Sequence, residues 1–405
     1  MKKGIALVLA GMLALSALTG CGSKKEADTT TKAAGSAAST KEAGDKDSSA
    51  AAGEFTGKIK IGVICPKSGT AGDGVYMEAA CQMAAEEINA AGGMDGLEVE
   101  LYVEDDEGTA QKSVTVAQKL VNQENVDIVI GAQNSACTLA NMLVTQEAGI
   151  VQITPGSSSP SITQQGNDWI FRTSISDLTA ATTIMEYCNE QGYKNIALVH
   201  SSGDFGLTAS QAINERARDY DLTIALEEQF NDDDVDFTTI LHKIASSDVD
   251  AIICWGYFGA TSHICQQMVQ NDIQIPLMGY GFNNPQFTAL GAEYVEGAIV
   301  ASGFTPLSSA TNDKVQPFID AFTEFYGKEP TQVCAQTYDT MYLIKQTIEE
   351  IGGANFTEEA FKEALKKQTF EGVTGSMSFD ETNDIVKDCT LVQYDASGNQ
   401  VLVER

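Results

Sequence analysis

Two short stretches of this chain place small hydroxyl and amide donors directly behind apolar runs. Residues 152–161 read QITPGSSSPS: the run GIVQI ends at Ile153 and gives way to Thr154, Pro155, Gly156 and three serines. Gly156 lets a backbone approach another molecule closely, and Ser157 and Ser158 each offer an N–H and an O–H. The second stretch, Ala132-Gln133-Asn134-Ser135, follows the run VDIVIG and puts Ser135 at the expected start of a helix. There, unsatisfied N–H groups and the helix dipole favour a negative charge. The chemistry these groups suit is retention of a carboxylate by neutral donors. Taken alone, a Ser-rich loop is also an ordinary surface turn, so the reading depends on whether the two stretches meet.

Groups for bond-breaking chemistry are not in evidence. The chain has no G-x-S-x-G, no H-E-x-x-H and no Cys/His pair at catalytic spacing. His200, His242 and His263 lack metal-ligand spacing, and Asp232-Asp233-Asp234 reads as a solvated loop rather than a calcium site. No metal and no cofactor is expected. Cys65, Cys81, Cys137, Cys188, Cys254, Cys265, Cys334 and Cys389 form no C-x-x-C, and several lie inside apolar runs. That pattern suits buried free thiols better than a disulfide framework.

The elements that must position the two loops alternate. IKIGVI, LEVELYV, VDIVIG and GIVQI read as strands separated by amphipathic helices, ending at WIFR (Trp169 to Arg172). A second series starts near Asp177 and runs through NIALVH, LTIALEEQF, AIICW and PLMG, again with helices between. Two βαβ series imply an α/β fold of two Rossmann-like lobes, each a parallel sheet flanked by helices. In such sheets ligands bind beyond the carboxyl ends of the strands, where both stretches lie, on loops after successive strands. Three more helices and a short β-rich tail from Gly375 to Glu404 complete the pattern.

Charge and the N-terminal segment bound the setting. Residues 58–405 hold 18 basic and 50 acidic residues, a formal charge of −32. That excludes nucleic acid as a partner and makes copies repel one another, so a monomer is expected. Lys2 and Lys3 precede an apolar stretch, Gly4 to Leu18, that is too short to span a bilayer and has the form of a secretory signal. It ends in Leu18-Thr19-Gly20-Cys21. Of residues 22–57, 24 are Ala, Gly, Ser or Thr, and Phe55 is the one large apolar side chain. They suit a flexible tether reaching about 30–36 Å.

Two family resemblances follow from these residues. Leu18-Thr19-Gly20-Cys21 resembles the lipobox of bacterial lipoproteins, which implies lipidation of Cys21 and a body held at the outer face of the bacterial cell membrane. The ordered series GVICPKSGTAGDG, AAEEINAAGGMDG, IVIGAQNSACTLA, ITPGSSSPSIT and IFRTSISD resembles the Leu/Ile/Val-binding-protein-like solute-binding proteins of ABC transporters, with the type I periplasmic-binding fold. The resemblance spans Lys58 to Arg405. It implies three hinge strands between lobes that close on an amino acid or related carboxylate and present it to a permease. The boundaries expected are 1–20 for the signal, 21–57 for the lipidated cysteine and tether, 58–175 plus 305–372 for the first lobe, and 176–304 plus 373–405 for the second.

The resemblance also implies a site. Ser135 and Ser158 meet the ligand carboxylate, Gly156 offers a carbonyl to its ammonium, and Phe205 (in SGDFG) and Tyr257 (in CWGYFG) cover it from the second lobe. Asn134 and Ser157 join the cradle by position. At one place the chain departs from the family. The acidic residue that commonly pairs the ammonium falls on Gly281, in Gly279-Tyr280-Gly281-Phe282. A buried ammonium without a counter-charge is costly. Either Asp73, Asp177 or Asp204 substitutes, or the ligand lacks an α-ammonium. An anchored sensory module stays open beside a transporter component, and an extracellular enzyme is the least supported class.

Overall fold

The computed structural model describes residues 55–69 and 73–403. Cys21 and the tether up to residue 54 lie outside the described residues. The first series runs β1 (Gly57–Cys65), α1 (Gly74–Ala90), β2 (Leu97–Asp105), α2 (Ala110–Lys119), β3 (Ile128–Gly131), α3 (Ser135–Ala148), β4 (Val151–Thr154) and β5 (Ile170–Arg172). Its five strands form one parallel sheet in the order β2-β1-β3-β4-β5. β1 is an inner strand between β2 and β3, and its second half is buried on both faces. A Val/Ile run rather than an alternating pattern is what such a strand requires. Ile59, Ile61 and Val63 point to one core, while Ile64 joins Val116, Leu120 and Val129 in another on the opposite face. Burying each such side chain stabilises the fold by roughly 1.5–3 kcal/mol.

The chain then crosses to a second layer: α4 (Asp177–Glu190), β6 (Asn195–Ser201), α5 (Asp204–Arg216), β7 (Thr223–Phe230), α6 (Thr238–Ala245), β8 (Ala251–Trp255), α7 (Phe258–Gln270), β9 (Leu277–Tyr280), α8 (Ala292–Val295) and β10 (Ile299–Ser302). Ser176 starts α4 by accepting from the Thr179 amide at 3.2 Å, the expected device for a helix that begins straight after a crossing. β7, β6, β8, β9 and β10 are parallel neighbours in that order.

The chain returns through α9 (Val315–Tyr326), α10 (Gln332–Ile351) and α11 (Glu358–Leu365), of which α10 and α11 cover one face of the first sheet through Met341, Ile344, Phe361 and Leu365. Next come β11 (Thr369–Gly372), β12 (Gly375–Phe379) and β13 (Ile385–Val386), a small antiparallel sheet. β14 (Thr390–Tyr394) and β15 (Gln400–Leu402) then extend the second sheet antiparallel to β10. This alters one expectation. The sequence reading puts 373–405 in the second lobe, but Met377 and Ile385 are buried in the first core. A hairpin with apolar side chains on one face must bury them where it pairs, and β12 pairs with β11. The last crossing therefore falls at residues 387–389.

Candidate functional site

The carboxyl ends of both sheets face one pocket. From the first sheet come the segments after β1, β3 and β4, carrying Asp73, Gln133 with Ser135, and Gly156 with Ser158. From the second come those after β6, β8 and β9, carrying Phe205, Tyr257 and Gly281 with Asn283; Tyr280, at the end of β9, also lines it. The start of α10 adds Gln332, Val333 and Gln336. The cavity has a volume of about 70 Å³. A wider groove of about 370 Å³ continues past Asn283 and Gln332 toward Pro285, Pro330 and Gly398. Three helices of the first layer start at the pocket: α1 after Asp73, α3 at Ser135 and α10 at Gln332. Their N-terminal dipoles make it favourable to a negative charge despite the acidic surface.

The two opening loops lie side by side. The Ser159 amide donates to Ser135 Oγ at 3.3 Å, and Thr154 Oγ1 reaches the Ala132 carbonyl at 2.7 Å. Gly156 is required by close approach, since a Cβ there would stand 2.9 Å from Gln133 Cα. The serines divide in their surroundings. Ser157 is enclosed by its own framework: its amide donates to Thr154 Oγ1 at 3.0 Å, and its hydroxyl lies 2.9 Å from the Gln133 carbonyl and 2.8 Å from Thr138 Oγ1. It does not line the pocket, whereas Ser158 does. Ser158 is tied to the crossing, because its carbonyl accepts from the Asp177 amide at 2.9 Å. Asn134 stands just outside, donating to the Tyr257 hydroxyl at 3.3 Å, with its Oδ1 buried and without a partner among the described residues.

The three acidic candidates separate as clearly. Asp204 is exposed at the start of α5 and is not among the lining residues. Asp177 is fully buried beneath the site and accepts from the Trp255 indole at 3.1 Å. Burial pushes its carboxyl up to about 7, against the pull of the Ser158 hydroxyl, the Trp255 indole and the Arg172 charge. Asp73 lines the pocket and accepts from Asn284 Nδ2 of the second layer at 2.8 Å. Burial likewise raises it to about 7, with the Asn284 hydrogen bond opposing. The aromatic side is a stack. Phe205 lies 5.0 Å from Tyr257 with ring planes 25° apart, and 6.1 Å from Tyr280.

Gly281 has a structural reason. Its φ is +96°, and a Cβ there would stand 2.7 Å from Phe205 Cζ and 2.7 Å from the Gly256 carbonyl oxygen. The Phe205 ring occupies the space that a side chain at 281 would need. Gln133, Tyr280, Asn283, Gln332, Val333 and Gln336 also line the pocket but are not among the site residues expected from the sequence. The signal available was the i, i+4 spacing of Gln332 and Gln336, which puts two amides on one helix face at the helix start.

With this geometry the comparisons with known proteins agree. Residues 58–399 match the family described as periplasmic binding protein. The leucine-, isoleucine-, valine-, threonine-, and alanine-binding protein of Pseudomonas aeruginosa is 29% identical over 351 residues, covering 85% of this chain and 92% of that protein. Among solved structures, the branched-chain amino acid transporter substrate binding protein LivJ of Streptococcus pneumoniae, in complex with isoleucine, is 28% identical with a TM-score of 0.78, covering 86% of this chain and all of that one. A solute binding protein of an ABC transporter from R. palustris, in complex with benzoate, shares the fold at 21% identity and a TM-score of 0.79, covering 85% of this chain and 95% of that one. Two sheets whose parallel strands end at one pocket, in a sequence matched over nearly its whole described length, identify the chain as a member of the periplasmic binding protein family, of the Leu/Ile/Val-binding-protein-like, type I kind.

Proposed function

We propose that this protein is the solute-binding component of an ABC importer and captures a small α-amino acid between its two layers. The observation that carries this reading is the convergence of strand-end loops from both sheets on one pocket, with Ser135, Gly156 and Ser158 on one side and Phe205 and Tyr257 on the other. The ligand carboxylate is held by the Ser135 and Ser158 hydroxyls and neighbouring amides. Its ammonium is held by the Gly156 carbonyl and Asp73. Of the three acidic candidates Asp73 is the one that lines the pocket, which favours a ligand with an α-ammonium over one without. Cys21 carries a lipid that keeps the protein, as a monomer, at the outer face of the cell membrane beside a permease.

Calorimetry with a panel of L-amino acids and their carboxamides tests the reading. Carboxylates should bind and carboxamides should lose most of that affinity; equal affinity for acid and amide removes the carboxylate cradle. Mass spectrometry of co-purifying small molecules identifies the ligand. Cys21→Ser should release the protein from the membrane fraction or leave its precursor uncleaved, and an unchanged membrane partition refutes the anchor.

A further inference from the structure

The floor of the pocket is built from amides. Gln332 and Gln336 stand one turn apart at the start of α10, with Asn283 and Gln133 on adjoining loops; Val333 is the one aliphatic side chain among the described lining residues. Gln332 is engaged at both ends. Its Nε2 donates to the Tyr280 hydroxyl at 3.3 Å, and its Oε1 accepts from the Ser302 hydroxyl and the Gly303 amide, each at 3.0 Å. Asn283 donates to the Phe304 carbonyl at 2.9 Å and accepts from Gln400 at 2.6 Å.

Gln336 is different. It is 1% exposed, and its Nε2 has no hydrogen-bond partner among the described residues. Gln133, 8% exposed, presents an unpartnered Oε1 to the same cavity. A buried donor and a buried acceptor left without partners are each unfavourable. An aliphatic ligand side chain would seal both in the complex. A side chain bearing a hydroxyl or an amide would satisfy them. A second carboxylate on the ligand fits poorly, because Asp73 lines the same cavity and residues 58–405 carry a formal charge of −32.

We propose that the ligand of this site is an amino acid with a neutral polar side chain, a hydroxyl or an amide, whose acceptor is held by Gln336 Nε2. This rests on the reading of the serine loops as a carboxylate cradle. It differs from a branched-chain preference in what the far end of the pocket recognises.

Near-isosteric pairs provide the test: L-threonine against L-valine and L-asparagine against L-leucine, by titration calorimetry on the whole mature protein. Within at least one pair the polar member should bind roughly ten- to a hundredfold more tightly, the range set by leaving a buried polar group unpaired. Gln336→Met keeps the length and removes the donor. In that variant the polar-to-apolar ratio should fall at least about tenfold, a change in selectivity that a merely structural role for Gln336 would not produce. Equal or stronger binding of valine and leucine overturns this inference and leaves the cradle standing. Failure of all four amino acids to bind, with the protein folded, overturns this inference, and the comparison of acids with their carboxamides then decides separately whether the cradle stands.

Discussion

A hydroxyl consumed by the backbone and a hydroxyl facing a cavity are the same chemical group, and Ser157 and Ser158 are one of each. Removing Ser158 Oγ or Ser135 Oγ should therefore weaken ligand binding roughly ten- to a hundredfold, since a hydrogen bond to a charged group contributes about 1.5–3 kcal/mol. Ser157→Ala should instead lower the melting temperature, because its hydroxyl ties Gln133 and Thr138 together. Calorimetry and thermal melts on the same three variants separate the two roles. Asp73 gives a pH signature. Its carboxyl is raised to about 7 by burial, and a bound ammonium would favour the charged form and lower that value. Binding then releases a proton, so affinity should rise with pH from about 5 and level off above about 7. Asp73→Asn should flatten most of that rise. Asp177, also raised to about 7 but away from the ligand, should contribute a small remainder. Affinity that falls over the same range would refute the pairing. Ser135 and Ser158 stand out in the sequence because small hydroxyls directly behind an apolar run are unusual, whereas Phe205 and Tyr257 are singled out by the family resemblance; all four line the pocket. Gln336 does not stand out, because an amide in a helix reads as an ordinary surface position until the helix is known to start at a cavity.

Among the elements, the loop that follows β4 is held from below by a buried ion pair. Arg172, at the end of β5, is 0% exposed, bonds Asp384 of the β12–β13 turn and donates to the Ser159 carbonyl at 2.6 Å. Asp384→Ala would leave the guanidinium buried without its partner, and unfolding in urea should show a loss of about 3–5 kcal/mol. The same variant should loosen the serine loop, so weaker ligand binding is expected even at temperatures where the fold persists. A loss below about 1 kcal/mol would show the pair to be dispensable. This pair also shows why the sheet that residues 373–386 join is not evident in the sequence. Alternation marks a strand but not its sheet, and the partner of Asp384 lies 212 residues away. The parallel strands were easier, since each βαβ step is local and Val/Ile runs bounded by helices leave little choice of layer.

At the scale of the whole molecule, side-chain hydrogen bonds join the two layers across the pocket: Asn284 to Asp73, Asn134 to Tyr257, and Gln332 to Tyr280, Ser302 and Gly303. Each hydrogen bond is worth about 0.5–1.5 kcal/mol net. A ligand that joins the serines of one layer to the aromatics of the other adds to this sum, so closure should track saturation. Small-angle scattering should show a smaller radius of gyration with saturating ligand than without. Tyr257→Phe should weaken binding by removing the acceptor of Asn134. No change in radius with binding confirmed would argue for a pocket that fills without closing.

The late placement of α10, α11, β14 and β15 has a consequence for synthesis. A chain that emerges N-terminus first completes the strands of its first sheet at Arg172, yet the helices that cover one face arrive only between Gln332 and Leu365. Its second sheet has β10 in hand at Ser302, but the antiparallel neighbour of β10 begins at Thr390. Neither layer can close over its apolar surface until the last part of the polypeptide is available. The nascent protein therefore remains without a finished core for most of its elongation, the condition under which a chain can still be threaded lengthwise through a narrow pore.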